Sequence, residues 1–378
     1  MSVRPSVSDR ALVPTHARRP QSSVPRFTYR RAWHAARDLS RRAVPDGPGR
    51  RRSWLFLVSI GIPFAAGTLI GDPRGAVMGA LVGMMCSFAD EDERGLGARL
   101  LILAQIALGM LVGTTIGTHL RGYADPFWLV FGMALFFAGW LTEFGKGPHL
   151  AARYAAISLG LSAGFPDVEP HHHLYAALAV VVAGVVRTVD HLWHGAMPMP
   201  HGFVPPRLER RVEWLRFAVA YALVGALGLW IGIALGMTRA IWITIAPLVV
   251  MQPGAEITYR RIVEFMFGTT IGVVVAWVLI HSLPSAPLVV IAIAIAPTIP
   301  LFFPHRFWLQ TALIAVMLLI AFRLALPDPR SVTALIVERL EDIMLGCGLA
   351  LVGAVMAFGR AGWESFRETI ADANVDAR

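Results

Sequence analysis

Residues 259–281 read YRRIVEFMFGTTIGVVVAWVLIH: three charged side chains in the first six positions, then seventeen residues without Asp, Glu, Lys or Arg. Lipid offers no partner for backbone N–H and C=O groups, so a stretch of roughly 20 mostly apolar residues is read as a helix that spans a bilayer. The pattern recurs along the chain. Before residue 194, comparable runs fall at about 53–71, 75–90, 98–118, 126–143, 149–165 and 172–193. After it they fall at about 212–236, 239–253, 286–303, 307–325 and 332–358. Composition agrees: the 378 residues are 56% hydrophobic and 16% charged, with a mean hydropathy of +0.58. A soluble domain carries about 25% charged residues, so soluble enzyme, secreted disulfide scaffold and coiled coil are excluded. The expected fold is all-α: a polytopic membrane protein with about twelve transmembrane helices.

The second segment of each half is short for a full span, and 239–253 also contains Pro247 and ends in Pro253-Gly254. Trp54, Trp128, Trp193, Trp214, Trp242 and Trp308 lie near predicted helix ends, as an interfacial belt requires. The net charge of +9 is uneven. Residues 1–52 hold thirteen Arg and three Asp, a net of +10, so the remainder sums to −1. A nucleic-acid binder would spread its basic residues over a folded face, which argues against a nucleic-acid partner. With this arm inside, one set of loops holds Arg94, Arg99, Lys146, Arg207, Arg210, Arg211, Arg260, Arg261 and Arg306. The opposite set holds Arg74, Arg121, Arg239 and Arg330. That bias predicts both termini in the cytoplasm and a multi-pass protein of the inner (plasma) membrane. RRSWLFLVSI at 51–60 resembles a twin-Arg signal, but no small-residue cleavage site follows, so a retained first helix is expected. The arm is either a basic amphipathic segment on an anionic leaflet or a disordered tail. Cys86 and Cys347 match no metal or redox spacing.

The Pro-rich stretch 194–211 divides the membrane part into 53–193 and 212–359, six predicted helices each, followed by a cytoplasmic tail, 360–378. Short matches recur in order. Gly71-Asp-Pro-Arg74 answers Gly236-Met-Thr-Arg239, Gly113-Thr-Thr-Ile-Gly117 recurs as Gly268-Thr-Thr-Ile-Gly272, Pro148-His149 as Pro304-His305, and Pro166-Asp167 as Pro327-Asp328. Two six-helix repeats of shared orientation are expected, related by an axis along the membrane normal with a cleft or pore between them.

An ionisable residue at membrane depth costs roughly 2.5–3.5 kcal/mol on insertion scales, so each one needs a reason. Arg260 with Glu264 (i,i+4) and Arg261 with Glu264 (i,i+3) are both able to neutralise on one helix face. Gly268 and Gly272 form a small-xxx-small step, for which packing is the plain alternative to function. Glu338, Arg339, Glu341 and Asp342 place four charges in five residues before Gly346; they cannot all face lipid, so either some line a polar cavity or the last helix begins later than residue 332. Arg339 is able to pair with Asp342. Arg153 is placed to snorkel, and Arg187 with Asp190 reads as an ion pair at a helix end. His171-His172-His173 invites a metal, but adjacent histidines rarely converge on one ion and no Cys or carboxylate spacing supports them. Neither a metal nor a cofactor is expected. No P-loop, nucleophile elbow or H-E-x-x-H occurs, so an enzyme is not expected. Asp92-Glu-Arg94-Gly-Leu-Gly-Ala-Arg99 echoes a major-facilitator loop only loosely.

Trp242 to Gly272, with Gln252-Pro253, Thr258, Arg260-Arg261 and Gly268-Thr-Thr-Ile-Gly272, resembles the signature of the fusaric acid resistance (FUSC-like) family. Glu338-Arg-Leu-Glu-Asp-Ile-Met-Leu-Gly346 resembles its second block. The first half matches weakly, with Cys86-Ser-Phe-Ala where Gln-Pro-Gly is expected. The family includes bacterial exporters of aromatic carboxylic acids and is distantly similar to plant aluminium-activated malate channels. The resemblance implies an inner-membrane protein that moves organic anions, with Arg339 and Arg261 facing a central cavity and binding carboxylate. A guanidinium suits carboxylate binding because it is bidentate and stays charged. Arg260 and Arg153 complete the substrate-binding candidates. Glu264, Glu338, Glu341 and Asp342 are the counter-charges or proton carriers, and Gly268, Gly272 and Gly346 the packing positions. Expected partners are the lipid bilayer and a small organic anion. A homo-oligomer and a periplasmic adaptor stay open, since the large soluble domain of many relatives is missing. A passive anion channel and a non-transporting membrane scaffold remain as alternatives.

Overall fold

The computed structural model describes residues 47–90, 95–164, 171–196, 211–302, 306–325 and 329–376. The basic arm to residue 46, most of the 194–211 linker, Asp92 to Arg94, and the second members of two Pro-centred matches (Pro304-His305 and Pro327-Asp328), with Pro166-Asp167, lie outside them. Among the described residues every element is helical.

The first half comprises α1 (Gly47–Ile70), α2 (Pro73–Phe88), α3 (Leu96–His119), α4 (Ala124–Trp140) followed by a 3-10 turn (Leu141–Phe144), α5 (Lys146–Gly164) and α6 (His172–His194). The second comprises α7 (Arg211–Ala234), α8 (Ile241–Val250), α9 (Ala255–Ser282), α10 (Ser285–Ile295) running into a 3-10 segment (Ala296–Phe302), α11 (Phe307–Ala325) and α12 (Pro329–Asp376). The helix assignment of α12 runs through Gly359, where φ is 68°, and on into the region expected to be a tail.

Among the described residues twelve helices thus occupy the twelve predicted segments, and eight of them are long and apolar enough to cross a membrane. These are α1, α3, α4 with its 3-10 turn, α6, α7, α9, α11 and α12 up to Gly359. The other four fall short of that length and composition, so the expected count of twelve spans is matched at eight of its positions. α8 has ten residues, and at 1.5 Å rise per residue it covers about 15 Å, half of a hydrocarbon core. α10 has eleven before Pro297 and Pro300 tighten the chain into 3-10 geometry, and α2 has sixteen. α5 is nineteen residues long but carries Lys146, His149 and Arg153. The eight long helices leave large side chains such as Leu111, Leu129, Val181, Leu223 and Val274 exposed, as lipid-facing surface requires. The chain is a multi-pass membrane protein.

Packing within the halves follows one scheme. In the first, α1 packs on α2, both pack on α6, α3 packs on α5 and α6, and α4 on α5. In the second, α7 packs on α8, both on α12, α9 on α11 and α12, and α10 on α11. Between the halves, α4 meets α7 while the 3-10 segment after α10 meets α1. Details match too. Gly71 (φ 81°) ends α1 and Gly236 (φ 68°) ends α7. The following amides, Asp72 and Met237, each donate at 2.9 Å to the carbonyl five residues back, Gly67 and Gly232; only glycine enters that left-handed turn cheaply. Gly113 and Gly117 press α3 onto the carbonyls of Ala155 and Leu159, while Gly268 and Gly272 press α9 onto those of Trp308 and Ala312. In each case a Cβ would overlap the carbonyl oxygen.

Candidate functional site

The short helix α8 organises the polar residues of the second half. Pro247 has no N–H to donate inside the helix. Gly346 of α12 lies against this turn; a Cβ there would come within 2.8 Å of the Ile243 carbonyl and 2.6 Å of the Ala246 methyl. The helix stops at Val250, and the Gln252-Pro253-Gly254 turn is tied by Thr258, whose hydroxyl accepts from the Gln252 amide and donates to the Gln252 carbonyl, both at 2.9 Å. Helix ends leave carbonyls without intrahelical donors. That of Leu248 accepts from the Tyr221 hydroxyl at 2.9 Å and from Arg153 at 3.3 Å. Thr244 anchors the middle, donating to the Gly225 carbonyl at 2.8 Å.

At the start of α8, Trp242 and Phe322 lie between two guanidiniums. Arg339 sits 4.4 Å over the Trp242 ring and Arg239 sits 4.7 Å over Phe322, with the two ring centroids 5.5 Å apart. Arg339 and Asp342 are both buried, yet Arg339 Nε and Asp342 Oδ1 have no hydrogen-bond partner. The expected direct pairing of the two is not made. Glu338 instead accepts from the Arg239 amide at 2.8 Å and from the Thr238 hydroxyl, clamping the α7–α8 turn. Glu341 is exposed. Arg239 lies in the turn outside the spans; burial pulls its guanidinium below the ordinary value, with Glu338 and Asp342 opposing.

At the other end, cations suit the carbonyl terminus of a helix. Arg153 does not snorkel outward: it lies 5.2 Å from its own neighbour Tyr154 and bonds Leu248 across the interface between halves. Arg261 stacks 5.2 Å over Phe307 and feels the positive charge of Arg153. Of the two pairings open to Glu264, the one formed is with Arg260, at 3.4 Å on the exposed side. Among the described residues Arg153 and Arg261 are therefore like charges without a carboxylate between them, whereas Arg260 and Glu264 pair on the more exposed side of the helix.

A second charged cluster lies in the first half, where the sequence gives little sign of one. Arg99, counted in the sequence as a loop charge, is fully buried. It bonds both oxygens of Asp90 at 2.6 and 2.9 Å and reaches Asp190 at 2.9 Å. Arg51 meets Asp190 at 2.5 and 2.7 Å, and Arg187 meets Asp90 at 3.2 Å and the Cys86 carbonyl at 2.5 Å. Arg187 and Asp190 thus pair across helices, not with each other. The sequence signal is only partial: Asp90 and Arg99 lie nine residues apart, but Arg99 reaches Asp190 across 91 residues and Arg51 reaches Asp190 across 139.

Comparison with curated proteins and with solved structures gives no significant match. Residues 220–353, from early α7 through most of α12, match the family described as fusaric acid resistance protein-like, a family of membrane transport and resistance, which bears out there the resemblance read from the sequence.

Proposed function

We propose that the chain exports organic carboxylic acids, aromatic ones first, across the inner membrane, with both termini cytoplasmic. In this reading Arg153 and Arg261 gather the anion at one end of α8, and Arg339 binds its carboxylate at the other. The observation that carries the reading is the buried Arg339 guanidinium, stacked on Trp242 with Nε unpartnered beside an equally unpartnered Asp342 oxygen. Burying such groups without partners is costly. A carboxylate would satisfy the guanidinium, while the adjoining indole and Phe322 ring would receive an aromatic body. Of the four acidic candidates, Glu264 is ion-paired, Glu338 is held by two donors and Glu341 is exposed, which leaves Asp342 as the proton carrier. The six recurring helix pairs and the matched Gly71 and Gly236 turns support two six-helix repeats with α8 at their interface.

The test is flux in proteoliposomes with benzoate as probe. Arg339→Ala should lower benzoate flux by about tenfold or more, because a charge-assisted hydrogen bond contributes roughly 1.5–3 kcal/mol, while protein yield stays normal. Unchanged flux removes Arg339 from the site. An imposed pH step should drive benzoate uphill, and Asp342→Asn should abolish that coupling while sparing downhill flow. Downhill flow alone in the unmodified protein establishes the passive channel. No flux of any acid establishes the scaffold.

A further inference from the structure

We propose that Asp72, His171 and His172 form a binding site for a divalent transition-metal ion of the zinc class, where the α1–α2 turn meets the start of α6. This revises the expectation of no metal, which rested on adjacent histidines rarely converging on one ion and on the lack of any further Cys or carboxylate spacing beyond Asp167 and Glu169. Folding brings Asp72 to them from about a hundred residues away: His171 Nε2 lies 3.2 Å from Asp72 Oδ2, and His172 Nε2 lies 3.5 Å from Asp72 Oδ1. One donor atom from each residue lies within 4.8 Å of the other two. Zinc binds imidazole nitrogen and carboxylate oxygen at about 2.0–2.1 Å in a tetrahedron, which sets neighbouring donors about 3.3 Å apart. The two histidine–carboxylate separations, one to each oxygen of Asp72, lie close to that edge.

The donor set also has the mechanical properties of a site. Asp72 caps α2, accepting the Gly75 amide at 2.8 Å, with Pro73 next in the chain. That contact holds the carboxylate through Oδ1 and leaves the buried Oδ2 facing His171 Nε2 at 3.2 Å. The His172 side chain is 6% exposed and Asp72 16%, whereas His171 is 49% exposed. Two ligands are thus anchored in protein, and the third opens to water, where a solvent ligand completes the tetrahedron. The second half shows what the corner does. There Glu338 of α12 ties down the α7–α8 turn through Thr238 and Arg239 with protein groups alone. A metal would make the corresponding connection between the α1–α2 turn and α6.

The test uses the full chain, purified with a tag that contains no histidine, stripped with chelator and titrated with zinc chloride. Expected are one zinc retained per chain after dialysis, measured by elemental analysis, and a rise in melting temperature of at least about 3 °C. His171→Ala should weaken zinc affinity at least tenfold and remove the thermal shift; because its side chain is half exposed, the variant should fold and keep the comparison clean. Asp72→Asn should do the same where it folds, and His173→Ala should leave both readouts intact. If the unmodified chain retains no more zinc than His171→Ala, or melts at the same temperature with and without zinc, the assignment is overturned.

Discussion

Arg99 shows how differently two buried arginines of this chain are treated. Its guanidinium makes three hydrogen bonds to two carboxylates, at 2.6–2.9 Å, whereas Arg339 keeps an unpartnered nitrogen. A satisfied buried network specifies one arrangement of the helices that contribute to it, and removing one partner strands the others. Arg99→Met takes a guanidinium from both carboxylates, leaving Asp90 with Arg187 and Asp190 with Arg51 and His194, and should destabilise the chain by about 3–5 kcal/mol. Loss of folded protein on a thermal ramp in detergent measures it, and an unchanged melting temperature would show that the network contributes nothing. Arg339→Met, which removes a buried guanidinium whose Nε has no hydrogen-bond partner while keeping apolar contact with Trp242, should by contrast leave melting unchanged or raise it. The sequence exposed Arg339 because four charges within five residues stand out in an apolar stretch. It hid Arg99, because a single Arg beside a predicted loop looks like any positive-inside charge, and nothing local announces Asp190 as its partner.

Helix by helix, the apolar period located the elements well and their roles less well. Hydropathy responds to burial in protein and to burial in lipid alike, so α8, whose Ile243, Leu248 and Val250 are fully buried in the protein, resembled a span. Its ten-residue length follows from Pro247 and the Gln252-Pro253-Gly254 turn, both visible beforehand, but the closing contact from Thr258 required the fold. The glycine repeats divide more cleanly. A side chain at Gly268 has the Trp308 carbonyl in its way, and one at Gly113 has that of Ala155, because each glycine lets two backbones touch. Gly268→Val and Gly113→Val should each cost about 1–3 kcal/mol through overpacking. Gly348, in α12 with nothing within 4 Å of a Cβ, is the control, and Gly348→Ala should melt like the parent. Equal melting of all three variants would place α9 and α11 farther apart than described.

Across the whole molecule, the matched packing scheme makes the joint between halves the place where transport and structure are tested together. If the two six-helix units rock about α8 to expose Arg339 to alternate sides, the α4–α7 contact must move during each cycle. At that contact a Cβ on Gly139 would stand 3.4 Å from the Ala218 Cβ but 2.8 Å from its Cα, so the two helices must part slightly to take it. Disulfides form at Cβ separations of about 3.5–4.5 Å, so Gly139→Cys with Ala218→Cys should oxidise readily, and the native Cys86 and Cys347 are buried and unpaired. A protease site inserted in the 197–210 stretch reports the bond, since the halves stay joined on a gel only until a reductant is added. Oxidation should then stop benzoate flux, and reduction should restore it. Full flux through the cross-linked protein would mean that the halves stay fixed while the anion passes, as in a channel whose Arg153, Arg261 and Arg339 line a standing path.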